Sequence, residues 1–300
     1  MAGVERYFKL GIVGWPLGYS LSPLIHSYAL ESAGLKGEYR EYKVEPEKLR
    51  AWLEGEALTL DGFNVTMPHK TAVFDWIREN RSRAELVGNT VLLESVNTVV
   101  VKNGRFSGHN TDGTGFLSAF RGAGSELKGW RVVLLGSGGA AKAIAFSLLE
   151  SGVGQLTIWN RKEHLERAEL LAERLNAIAK GFLGVSDFAQ AISDLERLPV
   201  SECQLLVNAT PMGMKRHEQV PETIMKRIHG VQTVYDIVYE PRETGLIQAA
   251  RRAAAKAITG EVMLVGQGAE SFKLWTGTQW MQPVMQQALN EHFAKREKAV

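Results

Sequence analysis

The run Trp130-Arg131-Val132-Val133-Leu134-Leu135-Gly136-Ser137-Gly138-Gly139-Ala140-Ala141-Lys142-Ala143-Ile144-Ala145-Phe146, continuing to Gly152, decides the fold. A short apolar run rich in valine and leucine reads as a buried strand, and the alanine-rich segment after the glycines reads as a long helix closed by Gly152. Between them Gly136, Ser137, Gly138, Gly139, Ala140 and Ala141 fit G-x-G-x-x-A. Such a turn needs a tight bend at the first glycine and bare backbone at the second, so that a pyrophosphate can approach the N–H groups of the new helix. Glycine turns of this kind also arise for packing alone. Context raises the nucleotide reading, because the next strand, Leu156 to Arg161, ends where fingerprint proteins contact the ribose, about 20 residues on.

Working outward, Cys203–Thr210 and Thr233–Tyr239 read as further strands, with a helix near Glu222–Ile228 between them. Strands alternating with helices predict a parallel, doubly wound sheet. After Pro241 the chain reads as mostly helical. Upstream, strands are expected at Phe8–Gly14, Glu38–Val44, Gly62–Thr66 and Ser95–Val101, the last forming a hairpin with Arg105–Asn110 around Asn103-Gly104. Ser22-Pro23 gives a helix N-cap followed by proline, Pro68 opens a second helix, and Gly113–Gly124 is helix-like. The fold class is α/β with two domains. Residues 1–112 form an N-terminal α/β domain, 113–256 a Rossmann-like dinucleotide-binding domain, and 257–300 helices that return to the first domain.

Three hundred residues suit two domains, and 45% hydrophobic with 23% charged residues is ordinary globular composition. Thirty-five Lys and Arg against thirty-three Asp and Glu leave +2, which removes the long-range attraction expected of a nucleic-acid or membrane-surface binder. No apolar run is long enough to span a bilayer, and the first residues lack the apolar core of a signal peptide. A single cysteine, Cys203, excludes an intrachain disulfide and fits a cytoplasmic setting. His26, His69 and His109 lack metal-ligand spacing, so no metal is expected.

The end of the strand at Asn160-Arg161-Lys162 bears on the cofactor. NAD sites place a carboxylate there for the ribose hydroxyls, whereas a guanidinium can clamp the 2′-phosphate of NADP. Arg161 favours NADP. Arg161 and Lys162 also fit a solvated helix entry, and Glu163 keeps NAD open as the alternative. For chemistry, Lys70 follows a strand bearing Asn64 and Thr66, and Asp112 sits among glycines in Gly108–Phe116. The ordinary readings are a solvated lysine and an N-capping aspartate. Ser20 and Ser22 offer hydroxyls at a helix N-terminus, suited to a carboxylate, or simple capping.

These segments together resemble the shikimate dehydrogenase family from about Gly11 to Gln286. Gly14–His26 resembles its serine pair, Ser20 and Ser22, and Asn64–Lys70 its segment with a substrate threonine, Thr66, and catalytic lysine, Lys70. Ser95–Thr98 resembles the segment that supplies Asn97, and Gly108–Phe116 the one that supplies Asp112, the lysine's partner. Gly136, Ser137, Gly138, Gly139 and Ala140 match the cofactor turn, and Asn208–Met214 a later strand end near the nicotinamide side. The segments with Ile237 and Tyr239, and with Gly260 and Gln267, complete the match. It implies Tyr239 and Gln267 as substrate ligands, and Ile237 and Gly260 as cofactor contacts with Asn160, Arg161 and Lys162. Ser137 replaces the usual alanine, and Lys162 the usual threonine, with the next basic residue, Arg167, further on.

The resemblance implies reversible NADPH-dependent reduction of 3-dehydroshikimate to shikimate in aromatic amino acid biosynthesis, by a monomer or homodimer in the cytoplasm that binds neither nucleic acid nor membrane. In that reading Lys70 and Asp112 share proton transfer. A dual quinate/shikimate dehydrogenase using NAD is the alternative, and two serines at 20 and 22 lean toward shikimate. A non-catalytic ligand sensor would not need to keep both Lys70 and Asp112.

Overall fold

The computed structural model describes residues 6–18, 20–120 and 127–297. The readings that touch residues 1–5, Tyr19 and residues 121–124 lie outside the described part. The chain forms two compact units, residues 1–115 with 264–300, and residues 116–263.

The first unit carries β1 (Tyr7–Gly14), α1 (Ser22–Ser32), β2 (Lys36–Lys43), α2 (Leu49–Glu54), β3 (Gly62–Val65), α3 (Lys70–Glu79), β4 (Ala84–Leu86), α4 (Thr90–Leu93), β5 (Thr98–Lys102), β6 (Arg105–His109) and the start of α5 (Asp112–Leu117). Its six-stranded sheet has the order β2-β1-β3-β5-β6-β4. β1 pairs in parallel with β2 and β3, whereas β5 runs antiparallel to both β3 and β6. The β5–β6 hairpin turns at Asn103 and Gly104, both with positive φ, as this dipeptide favours. Trp52 packs edge-on against Phe63 and Trp76 against Phe106, which anchors the core under this sheet.

The second unit carries β7 (Arg131–Leu135), α6 (Gly139–Glu150), β8 (Gln155–Trp159), α7 (Leu165–Leu183), β9 (Ala189–Ile192), β10 (Leu205–Asn208), α8 (Glu222–Met225), β11 (Thr233–Asp236), α9 (Gly245–Arg252) and β12 (Lys256–Ile258). Its sheet, β12-β11-β10-β7-β8-β9, is parallel throughout. Strand order reverses at β7, which places the switch point of a doubly wound fold beside its carboxyl end. α10 (Gly260–Thr276) gives its first turn to this unit and the rest to the first, which is why the second break falls at 263 and not at 256. α11 (Gln282–Glu297) packs on α1, so the C-terminal helices do return to the first unit.

Several local readings are corrected. The N-cap of α1 is Leu21, and Ser22 is already helical. Ser20 supplies the cap-like bond instead, its hydroxyl accepting from the Ser22 amide at 3.2 Å. Pro68 lies in a turn closed by His69 N to Thr66 O, and the helix starts only at Lys70. The stretch after Pro241 is mostly helical as expected, with the short β12 adding an edge strand to the parallel sheet. The short strands β4 and β9 were also not expected; each has only three or four residues and no clear alternation.

Candidate active site

Antiparallel pairing in the first sheet gathers its polar residues at one edge. The end of β3 lies beside the start of β5, where Val65 N donates to Asn97 O at 2.8 Å. The end of β6 reaches the same place, since Asn97 N donates to His109 O at 3.1 Å. Thr66, Asn97 and Asp112 therefore occupy one rim although up to forty-six positions separate them in sequence. Lys70, on the first turn of α3, is tied there by Val96 N donating to its carbonyl.

Lys70 Nζ donates to Asp112 Oδ2 at 2.5 Å. The lysine side chain is 20% exposed and the aspartate 8%, so neither is a solvated surface group. Asn97 Nδ2 donates to the other carboxylate oxygen at 2.7 Å. The Asp112 amide donates to Asn110 Oδ1 at 3.1 Å, while both carboxylate oxygens are engaged by Lys70 and Asn97. A carboxylate held from two sides has little freedom to swing, and it holds the ammonium in turn.

Behind this pair lies a wholly buried network. Asn97 Oδ1 accepts from Thr111 N at 2.8 Å and from Thr98 Oγ1 at 3.0 Å. Asn64 Nδ2 donates to Thr98 Oγ1 and Ser271 Oγ at 3.1 and 3.0 Å, and Tyr39 donates its hydroxyl to Asn64 Oδ1 at 2.7 Å. Burial pushes the Tyr39 hydroxyl well above the usual phenol range, so it stays a neutral donor. Tyr39, Thr98, Thr111 and Ser271 were not singled out from sequence. A polar residue at a central-strand position, such as Asn64 or Thr98, was the available signal, because a buried polar group requires partners.

The remaining first-unit candidates differ in burial, and Gln267 meets the network through its carbonyl, which accepts from Ser271 Oγ at 2.9 Å. Ser22 is buried, Ser20 and Thr66 are half-buried, and Gln267 sits on α10 with its Nε2 donating to Leu264 O. His69 contacts the Val44 carbonyl through Nε2 at 2.7 Å, a structural bond. His26 is fully buried against Tyr39, and burial drives its imidazole down to about 3, so it stays neutral. Among the described residues no group of three or more His, Cys, Asp or Glu could hold a metal ion.

In the second unit the glycines divide the work. Gly136 has φ +104°, and a Cβ there would stand 2.9 Å from Thr210 Cγ2, so only glycine fits. Gly138 has ordinary extended backbone, and nothing lies within 4 Å of where its Cβ would stand. No side chain caps α6. Open backbone before uncapped helix amides suits a pyrophosphate, so the residues present fit a dinucleotide. Ser137 is buried and its hydroxyl accepts from Asn160 Nδ2 at 2.7 Å, linking the turn to the end of β8. Arg161 and Lys162 follow, exposed. Gly260 abuts Ile237, whose carbonyl oxygen would lie 2.1 Å from a Cβ, and Tyr239 follows in the same loop. Asn208 and Asp236, at the ends of β10 and β11, bond each other at 2.9 Å, and Thr244 donates to Asp236 at 2.6 Å.

Comparison with known proteins decides the kinship. The model of the shikimate dehydrogenase substrate binding domain matches residues 12–99, that of shikimate / quinate 5-dehydrogenase residues 119–206, and that of the shikimate 5′-dehydrogenase C-terminal domain residues 260–289. A shikimate dehydrogenase (NADP(+)) of Methanothermobacter thermautotrophicus is 40% identical over 281 residues, 93% of this chain and 94% of that one. The chain belongs to the shikimate dehydrogenase family. A shikimate dehydrogenase crystallised with NADP+ superposes with TM-score 0.84 at 32% identity, covering 95% of this chain and 96% of the other. The Thermus thermophilus enzyme, solved with NADP(H) and shikimate, gives 0.76 at 33% identity, covering 94% and 99%. Within the family, then, this chain keeps a lysine–aspartate pair at the sheet rim of one unit and an open glycine turn in the other.

Proposed function

We propose that the protein catalyses the NADP-dependent interconversion of shikimate and 3-dehydroshikimate. The observation that carries this reading is the sequestered Lys70–Asp112 contact at 2.5 Å, locked by Asn97, in a chain of this family. NADP(H), when bound, supplies the hydride chemistry. Gly136, Ser137, Gly138, Gly139 and Ala140 would hold its pyrophosphate, Asn160, Arg161 and Lys162 its adenosine end, and Ile237 and Gly260 would lie on the nicotinamide side.

The chain's own work is binding, orientation and proton handling. Reduction of a ketone leaves an oxygen that must take a proton, and in this reading Lys70 Nζ, held by Asp112, donates it. Asp112 orients the ammonium and takes part in the proton transfer as its coupled partner. In the reverse direction the same pair accepts the hydroxyl proton. Ser20 and Ser22 hold the substrate carboxylate with neutral donors, and Thr66, Asn97, Tyr239 and Gln267 meet its ring hydroxyls. A pocket lined with such donors and acceptors rejects analogues that leave them unpaired.

The test is a spectrophotometric assay at the reduced-nicotinamide band with shikimate and quinate, each with NADP and NAD. The expected result is the highest kcat/KM for shikimate with NADP. A higher value for quinate or for NAD would replace this reading with a quinate/shikimate dehydrogenase, and no turnover with any pair would indicate a ligand-binding protein.

A further inference from the structure

Arg161 does not stand free in the structure. Its Nη2 donates to Glu218 Oε2 at 2.5 Å, with the arginine side chain 43% and the glutamate 74% exposed. Glu218 lies in the loop after β10, fifty-seven positions from Arg161. Its backbone carbonyl accepts from Gly213 N at 2.8 Å, and the preceding Met212 carbonyl accepts from buried Asn208. The loop bearing the carboxylate is thus fastened at its base to the sheet.

We propose that Glu218 is a built-in competitor for the cofactor's 2′-phosphate and thereby sets how strongly the enzyme prefers NADP. The proposal rests on the reading of Arg161 as the residue that meets that phosphate. A carboxylate offers a guanidinium the same charge-assisted hydrogen bonds that a phosphate does, so the two are alternative partners for one fork. NADP must displace Glu218 from the guanidinium before its phosphate can take that place. NAD carries no charge on that ribose and leaves the ion pair in place. Because both side chains are solvated, the effect is moderate and screened by salt.

The decisive experiment titrates adenosine 2′,5′-bisphosphate and 5′-AMP into the parent, Glu218→Gln, Arg161→Ala and the double variant by calorimetry. The expected result is that Glu218→Gln binds the bisphosphate about three- to tenfold tighter, with 5′-AMP shifted by less than about twofold. The gain shrinks at high salt and vanishes in the Arg161→Ala background, as coupled residues require. If Arg161→Ala weakens the bisphosphate but Glu218→Gln does not strengthen it, Arg161 meets the phosphate and Glu218 is no competitor. If Arg161→Ala leaves bisphosphate binding at the parent value, the reading of Arg161 itself fails, and the competitor role with it.

Discussion

The rim of the first sheet and the glycine turn of the second solve recognition in opposite ways. At the rim, side chains do everything: Lys70, Asp112, Asn97, Thr98, Asn64 and Ser271 are joined by hydrogen bonds, and most are buried. At the turn, side chains withdraw: Gly138 faces open space and the helix amides are uncapped. A small polyol carrying one carboxylate must be distinguished from near-isosteres, which takes many fixed donors and acceptors. A pyrophosphate is the same in every dinucleotide, so backbone and helix dipole suffice. The lesson is that selectivity here is built from buried side chains and general affinity from exposed backbone.

Removing the lysine should test that contrast hardest. Lys70→Ala is expected to lower kcat by about 10²–10⁴-fold while the KM for shikimate changes far less. Asp112→Asn should also slow turnover, and the double variant should lose less than the two losses combined. Steady-state kinetics reads both; a Lys70→Ala enzyme within a few-fold of the parent would return the lysine to the surface.

The two glycines sharpen the other half. Gly138→Val, placed in ordinary backbone with nothing nearby, should keep the melting temperature and weaken NADP by roughly 10- to 100-fold through loss of one or two charge-assisted bonds. Gly136→Val should lower the melting temperature by several degrees, because positive φ and the Thr210 contact each oppose a side chain. Equal thermal losses would erase the distinction between a binding and a folding glycine. Smaller again, Ser20→Ala and Ser22→Ala should each raise the KM for shikimate by about tenfold, with kcat nearly unchanged.

The smallest effect concerns Asp236, where burial lifts the carboxyl to about 6 despite bonds from Thr244, Val238 N and Asn208. Its unfolded value is near 3.8, so between about pH 4 and 6 the native state holds the proton more firmly than the unfolded chain. Its contribution to stability is therefore present at low pH and falls as pH rises to about 6, then stays level. Asp236→Asn should remove that slope, and melting curves of parent and variant should diverge by a few degrees at most across the interval. A difference that does not vary with pH would mean the group stays in one protonation state.

How much was legible from sequence follows the same division. The turn could be read because Gly136, Ser137 and Gly138 are adjacent and their demands are local. Lys70 and Asp112 could be picked out, yet each had an equally ordinary local reading, a surface lysine and a helix cap. Only the fold brings them together, since their pairing depends on β3, β5 and β6 running as they do. Tyr39 and Ser271 gave no local sign at all, because their partner Asn64 lies 25 and 207 positions away. Glu218 was hidden for the same reason, and β12 because three residues at a sheet edge have no periodicity to detect.

Ser271 carries one consequence in time. The carboxamide of Asn64 and the hydroxyl of Thr98 wait for a group that the ribosome adds 207 and 173 residues later. At about 5–20 residues per second the longer delay is roughly ten to forty seconds of translation. Throughout it the nascent sheet can pair its strands and bury Phe63 and Trp76, yet two of its inner polar groups stay without that partner. Emergence of α10 ends the wait, so the selective part of this enzyme is among the last things its synthesis completes.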